Sequence, residues 1–202
     1  MRKRFLATLL CLLSLCTYGY AQKGLQSVGM DVSYNHDFNS NKGLSFGVKY
    51  HYYLSNYIRV SPTIKWVSMK EVLADYNGFR PLYSYAKTSG LDVSVDFQWF
   101  IIPPYNRLRP YLITGVSSGY LKAEAIERFE SQNEKGWWSS KFALNYGIGL
   151  NWEISPAISL QFETTRREEI SNNSRVIFDA HWFYSTRPFT YIQIAIGAVY
   201  NF

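Results

Sequence analysis

From Leu44 to Tyr52 the chain alternates with a period of two. Leu44, Phe46, Val48, Tyr50 and Tyr52 are apolar or aromatic, and Ser45, Gly47, Lys49 and His51 lie between them. A 180° repeat of this kind predicts a strand with two unlike faces. Phe142 to Ile154 repeats the pattern over a longer stretch, and similar segments run near 27–35, 57–67, 89–101, 158–165 and 190–202. The segment 109–121 is strand-like, but its two faces are hard to tell apart. The expectation is therefore eight strands. Short links fall near 54–56, 102–108 and 155–157, where Pro103-Pro104 and Pro156 mark turns. Longer links fall near 36–43, 68–88, 122–140 and 166–189. Long and short links alternate, so eight antiparallel strands would carry every long loop at one end and both termini at the other.

The two faces differ in charge. Outside 109–121, the apolar face carries none. The other face holds Asp31, Lys49, Arg59, Lys65, Asp92, Asp96, Lys141, Glu153 and Glu163 among small and polar residues. A soluble barrel would turn the apolar face inward; a barrel in lipid turns it outward, because every backbone group must be bonded within the protein. Aromatic placement favours the second arrangement. Tyr52, Trp99, Trp152, Tyr200 and Phe202 sit at the short-link end of the apolar face, and Tyr34, Trp66 and Trp138 at the long-loop end. Two belts around an aliphatic band match the two interfaces of a membrane. The fold class expected is all-β: an eight-stranded antiparallel up-and-down transmembrane β-barrel.

Composition sharpens this reading. The 202 residues include 6 Trp, 17 Tyr and 13 Phe; the 18% charged residues exclude a helical membrane bundle, and the 47% hydrophobic residues exclude a disordered chain. Arg2, Lys3 and Arg4 precede an apolar run from Phe5 to Cys16 that ends at Gly19-Tyr20-Ala21. This predicts a signal peptide over 1–21 and a barrel domain over 22–202. Both cysteines, Cys11 and Cys16, lie in the signal, so the mature chain has no thiol for a disulfide, a zinc site or a nucleophile. No cofactor or metal is expected. Without the signal no basic cluster remains for nucleic acid.

The last strand alternates through Ile192, Ile194, Ile196, Ala198, Tyr200 and Phe202. A terminal Phe with an aromatic two residues earlier resembles the insertion motif of bacterial outer-membrane barrels. The whole mature chain resembles small eight-stranded proteins of the OmpA-barrel and OmpX type, including those of Bacteroidota. Arg109-Pro110-Tyr111-Leu112 followed by Gly115 also looks like the start of a mid-barrel strand in that group. The resemblance implies a location in the bacterial outer membrane, long loops extracellular and both termini periplasmic. The partners it implies are outer-membrane lipid, lipopolysaccharide and the barrel-assembly machinery, the last through the strand ending in Phe202. It carries no catalytic residues.

Pro62 falls within the third strand, where it cannot donate a ladder bond, and a local bulge is expected. An eight-stranded barrel is narrow enough for side chains to fill. The near balance of inward charge predicts a paired polar interior rather than a pore, with Lys65 against Asp92 and Arg59 against Asp96. The expected role is structural or surface-interacting, without catalysis. The alternatives are a secretion- or transport-associated barrel and a lipid A-modifying enzyme. For the last, His51 points inward at the wrong end, while His36 and the set Asp179, His181 and Ser185 fall in long loops. Tyr76, Phe79, Arg80, Tyr83, Tyr85, Trp137, Phe178, Trp182, Phe183 and Tyr184 in the long loops are candidates for contact with a ligand whose identity the sequence leaves open. Lys122, Glu124, Glu127, Arg128, Glu130, Glu134 and Lys135 read as a solvated charge mixture.

Overall fold

Alternation becomes pleat. In the computed structural model, eight strands follow one another: β1 (Gln26–His36), β2 (Lys42–Tyr53), β3 (Ile58–Asn77), β4 (Arg80–Phe100), β5 (Leu108–Ala125), β6 (Trp137–Ser155), β7 (Ile158–Glu169) and β8 (Tyr191–Asn201). Each pairs antiparallel with its neighbours, and β1 pairs with β8, so the sheet closes into a barrel. The structure describes residues 24–37, 42–77, 80–104, 106–125, 137–170 and 190–202, with 71–86, 123–125 and 137–141 described by backbone alone. The segment expected as a signal peptide and the set Asp179, His181 and Ser185 lie outside the described residues.

The barrel is strongly sheared. Starting from His36, the cross-strand row runs through Lys42, Lys70 and Lys87 to Glu124 on β5. In the other direction it runs through Ile192, Arg166 and Tyr146 to Thr114 on the same strand. The two ends differ by ten residues, a shear that tilts eight strands by about 40°.

Strand lengths differ around the wall. β1 and β8 have 11 residues each, whereas β3 and β4 have 20 and 21. At about 3.3 Å per residue and this tilt, β1 spans roughly the apolar band of a bilayer, while β3 and β4 rise well beyond it. This corrects the sequence expectation. The stretch expected as a loop over 68–88 is a paired hairpin that runs to Asn77↔Arg80. The 122–140 link loses both its ends to β5 and β6, and β7 continues to Glu169. Past Trp66 and Leu91 the outer face carries Ser68, Lys70, Ser89 and Lys87, so the alternation stops while the backbone ladder continues.

Pro62 produces no register shift. On the β4 side it stays in register with Val95. On the β2 side the ladder is interrupted between Lys49↔Thr63 and Tyr52↔Val60, then resumes in the same register. His51 and Ser61 face each other across the interruption, and His51 Nδ1 bonds Ser61 Oγ at 2.6 Å. A side-chain bond thus spans the step where the proline has no N–H to give. The β6–β7 ladder does shift, between Glu153 and Ser155 beside a short turn. Hydroxyls hold two of the short turns: Ser55 Oγ accepts from the amides of Tyr57 and Ile58, and Ser155 Oγ from that of Ile158.

Candidate functional site

Outward positions are apolar and exposed. Val28, Met30, Val32, Leu44, Phe46, Val48, Ile64, Leu91, Val93, Ile148, Ile194 and Ile196 all stand on the outer surface, Met30 at 69% exposure. Inward positions are polar and buried: Asp31, Lys49, Arg59, Lys65, Asp92, Gln98, Arg109, Gln161, Glu163 and Arg167. This is a water-soluble protein turned inside out.

The strand of indistinct faces is now clear. β5 turns Arg109, Tyr111, Ile113, Ser117 and Leu121 inward and Leu112, Thr114, Val116, Ser118 and Tyr120 outward. Its inner face carries bulky apolar groups and its outer face Thr and Ser, which is why the alternation was flat.

Those inward apolar groups close the lumen at two levels. Near the short-link end, Tyr53, Phe100, Tyr111 and Ile113 cluster with Leu25 packed against them. Two guanidinium groups cover these rings. Arg59 Cζ lies 5.0 Å from the Phe100 centroid and 5.3 Å from that of Tyr53, and Arg109 Cζ lies 4.0 Å from Phe100. Cation–π attraction gains strength where water is absent. Toward the long-loop end, Val67, Met69, Leu121 and Tyr191 form a second cluster.

Between these clusters lies a bonded polar network. Lys49 bridges Asp31, at 2.9 Å, and Glu163. Lys65 reaches Asp31 at 3.3 Å and donates to Gln193 Oε1 at 2.9 Å. Glu163 also accepts from Gln98 Nε2 at 3.0 Å and Tyr111 Oη at 2.8 Å. Arg59 Nε donates to Gln98 Oε1 at 2.6 Å, which ties the aromatic layer to the charged one. Gln193 Nε2 donates to Ser33, Asn35 and Ser45. Nearer the long-loop end, Arg167 pairs with Asp92 and donates to Tyr191 Oη at 3.2 Å.

The expected pairs are corrected here. Lys65 and Asp92 do sit opposite each other. Their side chains nevertheless diverge, Lys65 to Asp31 and Asp92 to Arg167. The cross-strand partner of Arg59 is Gln98, not Asp96. Asp96 instead accepts from Asn145 Nδ2 at 3.0 Å and Ser94 Oγ at 3.2 Å. In so narrow a lumen a long side chain reaches across the axis, so sequence separation along one hairpin does not choose its partner.

Glu153 is half-buried near the end of β6, beside the β6–β7 turn. The backbone of Lys141 lies opposite Gly119, and its side chain is outside the described residues. Arg167, Glu169, Gln98, Gln161 and Gln193 are buried inward residues absent from the sequence expectations, and Arg109, expected only as part of the β5 motif, is buried with them. Parity could have found two of them, since Arg167 lies four residues from the inward Glu163 and Gln193 falls between the apolar-face positions Ile192 and Ile194.

Inward glycines make room for the long side chains. A Cβ on Gly149 would lie 2.3 Å from Tyr111 Cζ, and one on Gly47 would lie 2.5 Å from Asp31 Oδ1 and 2.7 Å from Lys65 Cγ. One on Gly115 would meet Asp96 Oδ1 at 2.2 Å.

Of the aromatic belt residues, Tyr34, Trp66, Trp152, Tyr200 and Phe202 are exposed on the outer face, and Tyr52 and Trp99 are half-buried there. Trp99 Nε1 donates to Thr114 Oγ1 at 3.0 Å, and Tyr200 stacks on Phe202. The side chain of Trp138 lies outside the described residues. Tyr50, Tyr57, Tyr120 and Tyr146 also stand on the outer surface. His36, expected in a loop, ends β1 and stacks on Tyr34. Tyr76, Tyr83, Tyr85 and Trp137, expected in loops, are strand positions, and Phe79, Phe178, Trp182, Phe183 and Tyr184 lie outside the described residues.

No protein-family model and no curated protein matches the sequence. Solved structures do resemble it. A major outer membrane protein from Thermus thermophilus aligns with a TM-score of 0.60 at 12% identity, over 88% of this chain and 99% of that one. Neisserial surface protein A aligns at 0.54 and 12%, over 88% and 97%. The outer membrane protein OprG from Pseudomonas aeruginosa aligns at 0.52 and 11%, over 91% and 98%. At such identities the likeness is one of fold: the chain has the architecture of the small eight-stranded outer-membrane β-barrels.

Proposed function

We propose that this chain is an integral protein of a bacterial outer membrane, with a lumen that is a structural plug and a working surface at the long-loop end. The observation that carries this reading is the inversion of faces. Aliphatic side chains cover the outside of a closed sheet while ionised groups are buried within it, which is stable only where the surroundings are apolar. Long loops would then be extracellular and both termini periplasmic, with the β8 strand ending near Phe202 offered to the assembly machinery.

The filled lumen supports an architectural and surface-contact role over transport. Arg59, Arg109 and Tyr111 are large and fully buried, with Arg59 over the Tyr111 ring and Arg109 over that of Phe100. His51 is sealed within the lumen against Ser61, which supports a structural rather than a catalytic role for this histidine. The test is membrane fractionation followed by electrophoresis with and without boiling. An outer-membrane barrel floats with the outer membrane and runs faster when unheated. Recovery in the soluble fraction would overturn the reading.

A further inference from the structure

On the outer face of β7 two opposite charges stand two residues apart. Arg166 and Glu168 are both exposed there, and Glu168 is the one outward strand acid among the described side chains. The two do not close on each other. Glu168 accepts from Tyr146 Oη at 2.9 Å, and Arg166 forms no ion pair among the described residues. Their level makes this costly. The row that runs from His36 through Ile192 to Arg166 falls by about 3 Å per strand at a tilt of about 40°, which sets Arg166 level with the aromatic belt at Tyr34. A guanidinium and a carboxylate thus stand side by side, unpaired with each other, at the edge of the apolar band.

The same wall is uneven. In the row Ile148–Thr164–Ile194 the small Thr164 lies between two isoleucines that are 62% and 58% exposed. A groove of about 570 Å³ runs here, bounded also by Leu112, Phe162 and Ile196. Apolar side chains alone give barrels in lipid no reason to associate, because lipid tails are equally apolar; close packing and polar contacts supply one. A bound anion would suit the arginine but not the carboxylate beside it, so this patch fits a partner that offers both signs. A second copy does so. In a two-fold contact a surface meets itself, and a patch with one cation and one anion is its own complement. We propose that the outer wall of β6 to β8 is the contact face between two copies of this chain in the membrane, related by a two-fold axis along the membrane normal. Arg166 of each copy meets Glu168 of the partner subunit, and the isoleucine ridges of one copy enter the Thr164 notch of the other. The two charges differ in height by about 5 Å, within the reach of an arginine side chain.

The contact rests on the outer-membrane reading, and its test separates the two. The wild-type barrel, Arg166→Glu, Glu168→Arg and an equal mixture of the two variants are each reconstituted in phosphatidylcholine bilayers and read by native mass spectrometry. The variants differ in mass, so a mixed dimer is distinguished from either homodimer. The wild type is expected to be dimeric. Each variant alone sets like charges across the two-fold axis and should dimerise more weakly by on the order of tenfold. The mixture should recover the dimer as pairs with one copy of each variant, because two acids then face two bases. The lipid carries no net charge, so no anionic headgroup can bridge the arginines instead. Folding is checked by mobility without heating. If a reversal does not fold, R166Q and E168Q replace it, and each should weaken the dimer by about threefold to tenfold. A monomeric wild type would overturn the contact, as would folded single variants that dimerise as well as the wild type, or a mixture without mixed dimer. None of these outcomes touches the membrane reading, which instead falls if the folded chain fails to insert into vesicles.

Discussion

At the scale of the residue, the lumen is governed by pairs of one long and one absent side chain. The Tyr111 ring lies where a side chain on Gly149 would be, so Gly149→Ala should destabilise the folded barrel by about 1–3 kcal/mol. Urea titration in micelles, followed by tryptophan fluorescence, measures this. The charged centre behaves differently. Replacing Glu163 by Leu strands Lys49 beside a single carboxylate and leaves Gln98 and Tyr111 without their acceptor, at a cost of about 3–5 kcal/mol. The double variant K49M/E163L should cost less than E163L alone, because the buried cation left with only Asp31 as partner is removed as well. A double cycle in which the two losses simply add would show that the pair is not coupled. Much of this interior was legible in the sequence, because parity alone assigns a strand residue to a face. Partners were not legible. Asp31 meets both Lys49 and Lys65, because Gly47 stands between Asp31 and Lys65 in the cross-strand row and leaves them the room.

At the scale of the element, strands proved easier to find than to end. β2 and β8 matched their alternating segments within a few residues. β3 and β4 each outran theirs by nine residues or more, to Asn77 and back to Arg80. What vanished there was the need for one apolar face, not the ladder. Backbone amides of 70–77 and 80–88 should therefore exchange slowly with deuterium, in the alternating pattern of a hairpin, whereas a loop would exchange at once. Mass-resolved exchange on the folded protein decides between them. Pro62 teaches a related point. A proline in a closed sheet need not bulge if the ladder can skip a step on one side. His51→Ala should then cost about 1 kcal/mol through loss of its bond to Ser61 across that gap, read in the same urea titration.

At the scale of the whole molecule, two inner clusters and the network between them make the lumen a solid rather than a channel. The protein reconstituted in a planar bilayer should give no stable single-channel current. A steady ohmic step would require the Arg59 and Arg109 layer to move aside. The architecture was readable from face polarity, aromatic height and the alternation of long and short links. The uneven wall was not, because it depends on strand length above the apolar band. The seam between β1 and β8 has a kinetic consequence. Ser27 pairs with Asn201 and His36 with Ile192, so the first and last strands in chain order are each other's neighbours. Until that contact forms, each offers an unpaired edge with almost the whole chain looped between them. Closure is thus the most non-local step in the molecule, and a slow one by topology alone. Until its ends meet, the chain carries two adhesive edges, each open to pairing with a strand of another molecule.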